Sequence, residues 1–144
     1  MKRKRIKVVL WFDFEDSLTA ESDAAFYDML LILEEYGVRA TLKFCKKKVE
    51  LLQKKGRTDI LEKLKRHELC FHTTEHSIHP LPTEYLEHYG FREGTEEFFR
   101  REYPGFLKLA ELTGQHLMSY GHPGVAWAPQ AFAAARGLGV PHYM

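Results

Sequence analysis

At 144 residues the chain has the size of one domain able to bury a core of its own. Its 21 Lys and Arg against 20 Asp and Glu leave a net charge of +1, which gives no electrostatic reason to expect nucleic acid. No apolar run reaches membrane-spanning length and no small-residue cleavage site follows the first one, so a cytoplasmic protein without membrane attachment is expected.

Lys2-Arg3-Lys4-Arg5 reads as a solvated lead-in to the first strand. Ile6 to Phe14 is rich in β-branched and aromatic residues and predicts a buried strand. It runs into an acidic cluster, Asp13-Phe14-Glu15-Asp16. Ser17 and Thr19 offer N-caps for a helix to about Tyr36, with Phe26, Met29, Leu30 and Leu33 as its apolar stripe and Gly37 as its stop. Val38 to Phe44 is the second strand. Val49 and Leu52 face inward from the next helical stretch, Gly56 interrupts it, and Asp59 caps a short helix carrying Ile60, Leu61 and Leu64. Glu68 to Phe71 is the third strand.

After His79-Pro80-Leu81-Pro82, a short helix over Thr83 to Glu87 and a longer one over Gly94 to Thr113 are expected. Leu117 to Tyr120 is a fourth strand leading into Gly121-His122-Pro123-Gly124. Pro129 to Arg136 is helical, closed by Gly137, and Val140 to Met144 is a fifth strand. The alternation of strand and helix predicts one α/β domain over 1–144, with a parallel sheet and right-handed crossovers. Cys45 and Cys70 each sit by an apolar run and read as buried free thiols. Trp127 reads as packing, or as an aromatic wall for a sugar ring.

In parallel sheets of this kind, working residues gather at the C-terminal ends of strands. Asp13, Glu15 and Asp16 fall there after the first strand, and His72 and His76 after the third. Two imidazoles and a carboxylate suit a divalent ion with a coordination position left open. Asp13 and Glu15 lie two apart on a strand and so face the same side, one to hold the ion and the other to act on water. His67 enters the third strand and reads as structural, and His79 as a loop histidine. A zinc-protease helix is excluded, because the spacing from His67-Glu68 to His72 misses that pattern and lies on a strand. An aspartate-based phosphatase reading of Asp13 leaves the histidine cluster unexplained.

Arg66-His-Glu-Leu-Cys-Phe-His-Thr-Thr-Glu-His76 resembles the second motif of the polysaccharide deacetylases, the NodB-homology domain of carbohydrate esterase family 4. That motif reads His-Glu-Ile-Gly-Asn-His-Thr-x-x-His. Phe12-Asp13-Phe14-Glu15 resembles the first motif in a variant with one residue between its acids, and Ala40-Thr-Leu-Lys-Phe44 is similar to the family's second strand. The resemblance implies a distorted (β/α) barrel that hydrolyses a non-peptide C–N bond, deacetylating an N-acetylated sugar or polysaccharide. It implies Asp13 as general base and a divalent metal held by Glu15, His72 and His76, with Asp16 as the alternate to Glu15. Zn²⁺ is the expected ion, with Co²⁺, Ni²⁺ or Mn²⁺ as alternatives.

The likeness runs from about Ile6 to His79. Tyr120-Gly-His-Pro-Gly124 takes the place of the third motif, where the family has an arginine that orients the base. His122 is the candidate general acid, since the family's own lies in motifs beyond this sequence. The strands are too few to close such a barrel. The expectation is therefore the N-terminal part of a longer domain, or a wall supplied by a second copy. The competing reading is a deacetylase-like module that binds carbohydrate or metal without turnover.

Overall fold

The computed structural model describes residues 6–144, so the basic lead-in Lys2 to Arg5 lies outside the described residues. Five parallel strands form one sheet in sequence order: β1 (Trp11–Phe14), β2 (Thr41–Phe44), β3 (Glu68–Phe71), β4 (Ser119–Tyr120) and β5 (His142–Tyr143). Between them lie α1 (Glu21–Glu35), α2 (Lys46–Lys54), α3 (Thr58–Leu64), α4 (Pro82–Leu86), α5 (Phe91–Thr113) and α6 (Pro129–Gly137). The strand order never reverses, so right-handed crossovers place every helix on the same face. That is the winding of a barrel wall.

Strand register explains how the two faces differ. Phe14, Phe44, Phe71, Tyr120 and Tyr143 share one row across all five strands. This row faces the helices: Phe26 of α1 packs on Phe14 and Phe44, Phe106 and Phe98 of α5 on Phe71 and Tyr120, and Phe132 of α6 on Tyr143. Alternation sends the neighbouring row to the opposite face. There Asp13, Lys43, Cys70, Ser119 and His142 line up, one strand after another. The core is thus apolar on the helical side, and the concave side is polar.

Several boundaries differ from the sequence reading. The first strand begins at Trp11, and Ile6, Val8 and Val9 are exposed rather than buried, because β1 is an edge that no described element covers. Helix α1 starts at Glu21 without a side-chain cap. Asp16 instead captures the amides of Leu18 (2.8 Å) and Thr19 (3.2 Å), which holds that stretch in a turn. Asp59 lies inside α3, paired with Arg57, which occupies the cap position. Helix α5 starts at Phe91, three residues earlier than expected. Gly37 ends α1 with φ +62, as a left-handed C-terminal residue should.

Candidate metal centre

Three strand ends build the site. β1 delivers Glu15 directly after Phe14, β3 delivers His72 directly after Phe71, and β4 delivers Gly121 directly after Tyr120. The ligating atoms of Glu15, His72 and His76 lie within 4.8 Å of one another. Glu15 Oε2 is 3.0 Å from His72 Nε2 and 2.9 Å from His76 Nε2.

The tautomers follow from the partners. His72 Nδ1 lies 2.7 Å from the Gly121 carbonyl, which can only accept, so Nδ1 carries a proton, while Nε2 lies 3.0 Å from Glu15 Oε2. His76 Nδ1 pairs with Ser77 Oγ. His76 Nε2 is buried and, despite its 2.9 Å approach to Glu15, makes no aligned hydrogen bond. Burial holds the His76 imidazole below its ordinary pKa, only partly offset by Glu15. Two ring nitrogens therefore converge on one carboxylate oxygen, an arrangement that a cation between them would satisfy. The donor set of two imidazoles and one carboxylate fits a zinc-type ion.

The loop that carries His76 is held under strain. Thr73 (φ +63) and His76 (φ +53) both occupy left-handed backbone, uncommon outside glycine. Thr73 Oγ1 accepts the His76 amide at 3.0 Å. Glu102 of α5 accepts the Thr74 amide (2.7 Å) and hydroxyl (2.8 Å). These bonds set the loop so that both histidines point at Glu15. The two rings sit 4.6 Å apart, centroid to centroid.

The other sequence candidates are placed as follows. Asp13 lies on the concave face of β1, and its Oδ1 is 2.7 Å from Lys43 Nζ. Asp16 is not brought into the cluster: its carboxylate is engaged with Leu18 and Thr19, and the Thr19 hydroxyl and these two amides hold its pKa down to about 2. His122 follows Gly121; its Nδ1 is buried without a partner, and its ring stands 6.0 Å from that of Tyr143. His67 is buried at the opposite end of β3, where Nδ1 accepts the Ala40 amide at 3.3 Å. His79 is exposed and bonded to Glu84. Burial pushes the Cys70 thiol up to about 12 and raises Cys45, so neither offers a thiolate nucleophile. Trp127 packs edge-on against Phe132.

Two clefts meet at the acidic loop. One of about 380 Å³ is lined by Glu15, Asp16, Cys45, Lys47 and His76, and one of about 230 Å³ by Asp13, Glu15, Phe26, Met29 and Lys48. Sequence reasoning missed Lys43, Glu102 and Gly121 as parts of this site. The signal for Lys43 is a cation between the apolar Leu42 and Phe44 near the end of a strand. For Glu102, on a helix far along the chain, no local signal exists.

No protein-family model and no curated relative matches the sequence. Solved structures do match its fold. A carbohydrate esterase family 4 pseudoenzyme from Bacillus anthracis superposes with TM-score 0.66 at 14% identity, over 94% of this chain and 42% of that one. A mutant of that pseudoenzyme with restored enzymatic activity gives TM-score 0.68. A family 4 carbohydrate esterase from Streptomyces lividans, in complex with acetate, gives 0.64 at 14% identity, over 95% of this chain and 61% of that one. The chain thus has the fold of the family 4 deacetylases in partial form and spans about half the length of these structures. No helix among the described residues is long and apolar enough to cross a membrane.

Proposed function

We propose, with the carbohydrate esterase family 4 fold as premise, that this chain carries the metal half of a deacetylase-like site. The reaction is hydrolysis of a non-peptide C–N bond, removing acetyl from an N-acetylated sugar or polysaccharide. The observation that carries this reading is the convergence of Glu15, His72 and His76 on one point, with a buried, unpartnered His76 Nε2.

Glu15 Oε2 and the Nε2 atoms of His72 and His76 would hold a divalent ion, Zn²⁺ by its donor set. When bound, the ion would supply Lewis acidity toward an amide carbonyl and an attacking water. Asp13 accepts the proton of that water as general base. His122, whose Nδ1 has no other partner, donates a proton to the departing amine. The cleft of about 380 Å³ beside Glu15 and His76 is of the size that takes one sugar residue. The test is acetate release from N-acetylated sugar oligomers, with and without chelator. Loss of release on chelation and in His72→Ala and His76→Ala supports the reading, and undiminished turnover by those variants contradicts it.

A second reading, a module that binds metal or carbohydrate without turnover, draws support from the pseudoenzyme among the similar structures and from Gly121 at the third motif. Calorimetric binding of ion or sugar with no product would favour it.

A further inference from the structure

The Asp13 carboxylate has one cationic partner among the described residues, and it comes from the neighbouring strand. Asp13 and Lys43 are register partners of β1 and β2 on the concave face, so their side chains rise side by side. Lys43 Nζ lies 2.7 Å from Asp13 Oδ1 and 4.6 Å from the centroid of the Trp11 ring, on the same face two residues earlier. The Lys43 side chain is 9% exposed and that of Asp13 48%. The cation is therefore fixed in the wall, while the carboxylate keeps an open side.

The space that holds Lys43 is made by Gly121. A Cβ built on Gly121 would stand 2.7 Å from Lys43 Cδ, 3.5 Å from its Cε and 3.4 Å from His72 Nδ1. Any side chain at 121 would thus point into the volume that the lysine stem now fills. The backbone of the same residue anchors His72 through its carbonyl. One glycine at the end of β4 accordingly serves both halves of the site.

We propose that Lys43 is the positioning residue for Asp13, and that Gly121 lacks a side chain because the Lys43 stem occupies its place. The cation that orients the carboxylate reaches it from β2, through a lysine, and not from β4. The role of Asp13 as base rests on the function proposed above, whereas the exchange of volume between positions 43 and 121 does not.

The experiment is a set of four variants of the full chain: Lys43→Ala, Gly121→Arg, the two combined, and Lys43→Arg. Each is read by melting temperature, by Zn²⁺ affinity and by kcat and KM for acetate release. Gly121→Arg alone should lower the melting temperature by several degrees, and the same change in the Lys43→Ala background should cost much less, since the volume is then free. Lys43→Ala should lower kcat about a hundredfold, the size of effect that misplacement of a reacting group produces, with KM and Zn²⁺ affinity within about threefold. Both Lys43→Arg and the combined variant, which return a cation to Asp13, should recover at least about tenfold of that loss.

An equal melting penalty for Gly121→Arg in both backgrounds would overturn the exchange. Full kcat in Lys43→Ala would overturn the positioning role. If the native chain turns over no acetylated sugar, the catalytic reading fails on its own. A second melting cycle, Asp13→Ala with and without Lys43→Ala, then decides whether the two side chains are coupled, and strictly additive losses would end the proposal.

Discussion

Glu102 accepts both the backbone amide and the hydroxyl of Thr74, at 2.7 and 2.8 Å, and so ties a helix remote in sequence to the loop that aims His76. The carboxyl is buried, and burial raises its pKa against the opposing bonds from Thr74 and Tyr85. Removing it leaves a half-buried amide and hydroxyl without their partner. Glu102→Ala should cost about 1–3 kcal/mol of stability in urea denaturation. It should also weaken Zn²⁺ binding by about 10–100-fold, as the loss of a supporting partner does at other metal sites. Glu102→Gln, which keeps an acceptor oxygen, should be milder in both measurements. Equal effects from the two variants would argue against the hydrogen bond as the cause.

Helix α5 presses on the same loop one turn later. A Cβ at Gly105 would overlap Thr74 Oγ1 and stand 2.9 Å from Thr74 Cβ. Gly105→Ala must therefore push the loop away, despite alanine's better helix propensity. A loss of about 1–3 kcal/mol is expected, together with weaker metal binding. A stabilised Gly105→Ala variant would show that α5 and Thr74 are not in close approach.

Acid should act on the acidic loop in a defined direction. The folded-state pKa of Asp16, about 2, lies below the ordinary 3.8, so its contribution to stability is complete above about pH 4 and fades as pH falls through 2. Asp16→Ala should accordingly be less stable than the native chain at pH 7. The gap should close as pH approaches 2, read from urea midpoints across the series. A gap independent of pH would mean that Asp16 acts through something other than its charge.

Metal binding should have its own acid limb. Burial holds the His76 pKa below its ordinary value, so this imidazole stays available as a ligand further into acid than an exposed one. At lower pH the protons and the ion compete, and Zn²⁺ affinity should fall progressively. Affinity that rises on acidification would exclude His76 as a ligand.

Much of this architecture is legible in the sequence because it rests on local pattern. The apolar runs at Leu42-Lys-Phe44 and Leu69-Cys-Phe71 become β2 and β3, and the residues after them land on one rim, as parallel strands require. The run from Ile6 to Leu10 misleads for the same reason: it has strand composition, yet no described element covers it. Ser17 and Thr19 look like caps for α1, whereas Asp16 takes the Thr19 amide and the Thr19 hydroxyl that such caps would use. That competition also separates Glu15 from Asp16. Adjacent acids look alike in sequence, and only the direction of the turn sends one toward His72 and the other back on its own loop. Lys43 and Glu102 were out of reach, since the first depends on strand register and the second on where α5 crosses a loop about 28 residues earlier.

The most direct test of the central claim is calorimetric titration of the metal-free chain with Zn²⁺, beside Glu15→Ala, His72→Ala, His76→Ala and Asp16→Ala. The account predicts one ion per chain. Affinity should fall by more than about a hundredfold in each of the first three variants and stay nearly unchanged in Asp16→Ala. Absence of binding to the native chain, or native affinity retained in His72→Ala and His76→Ala, would contradict it.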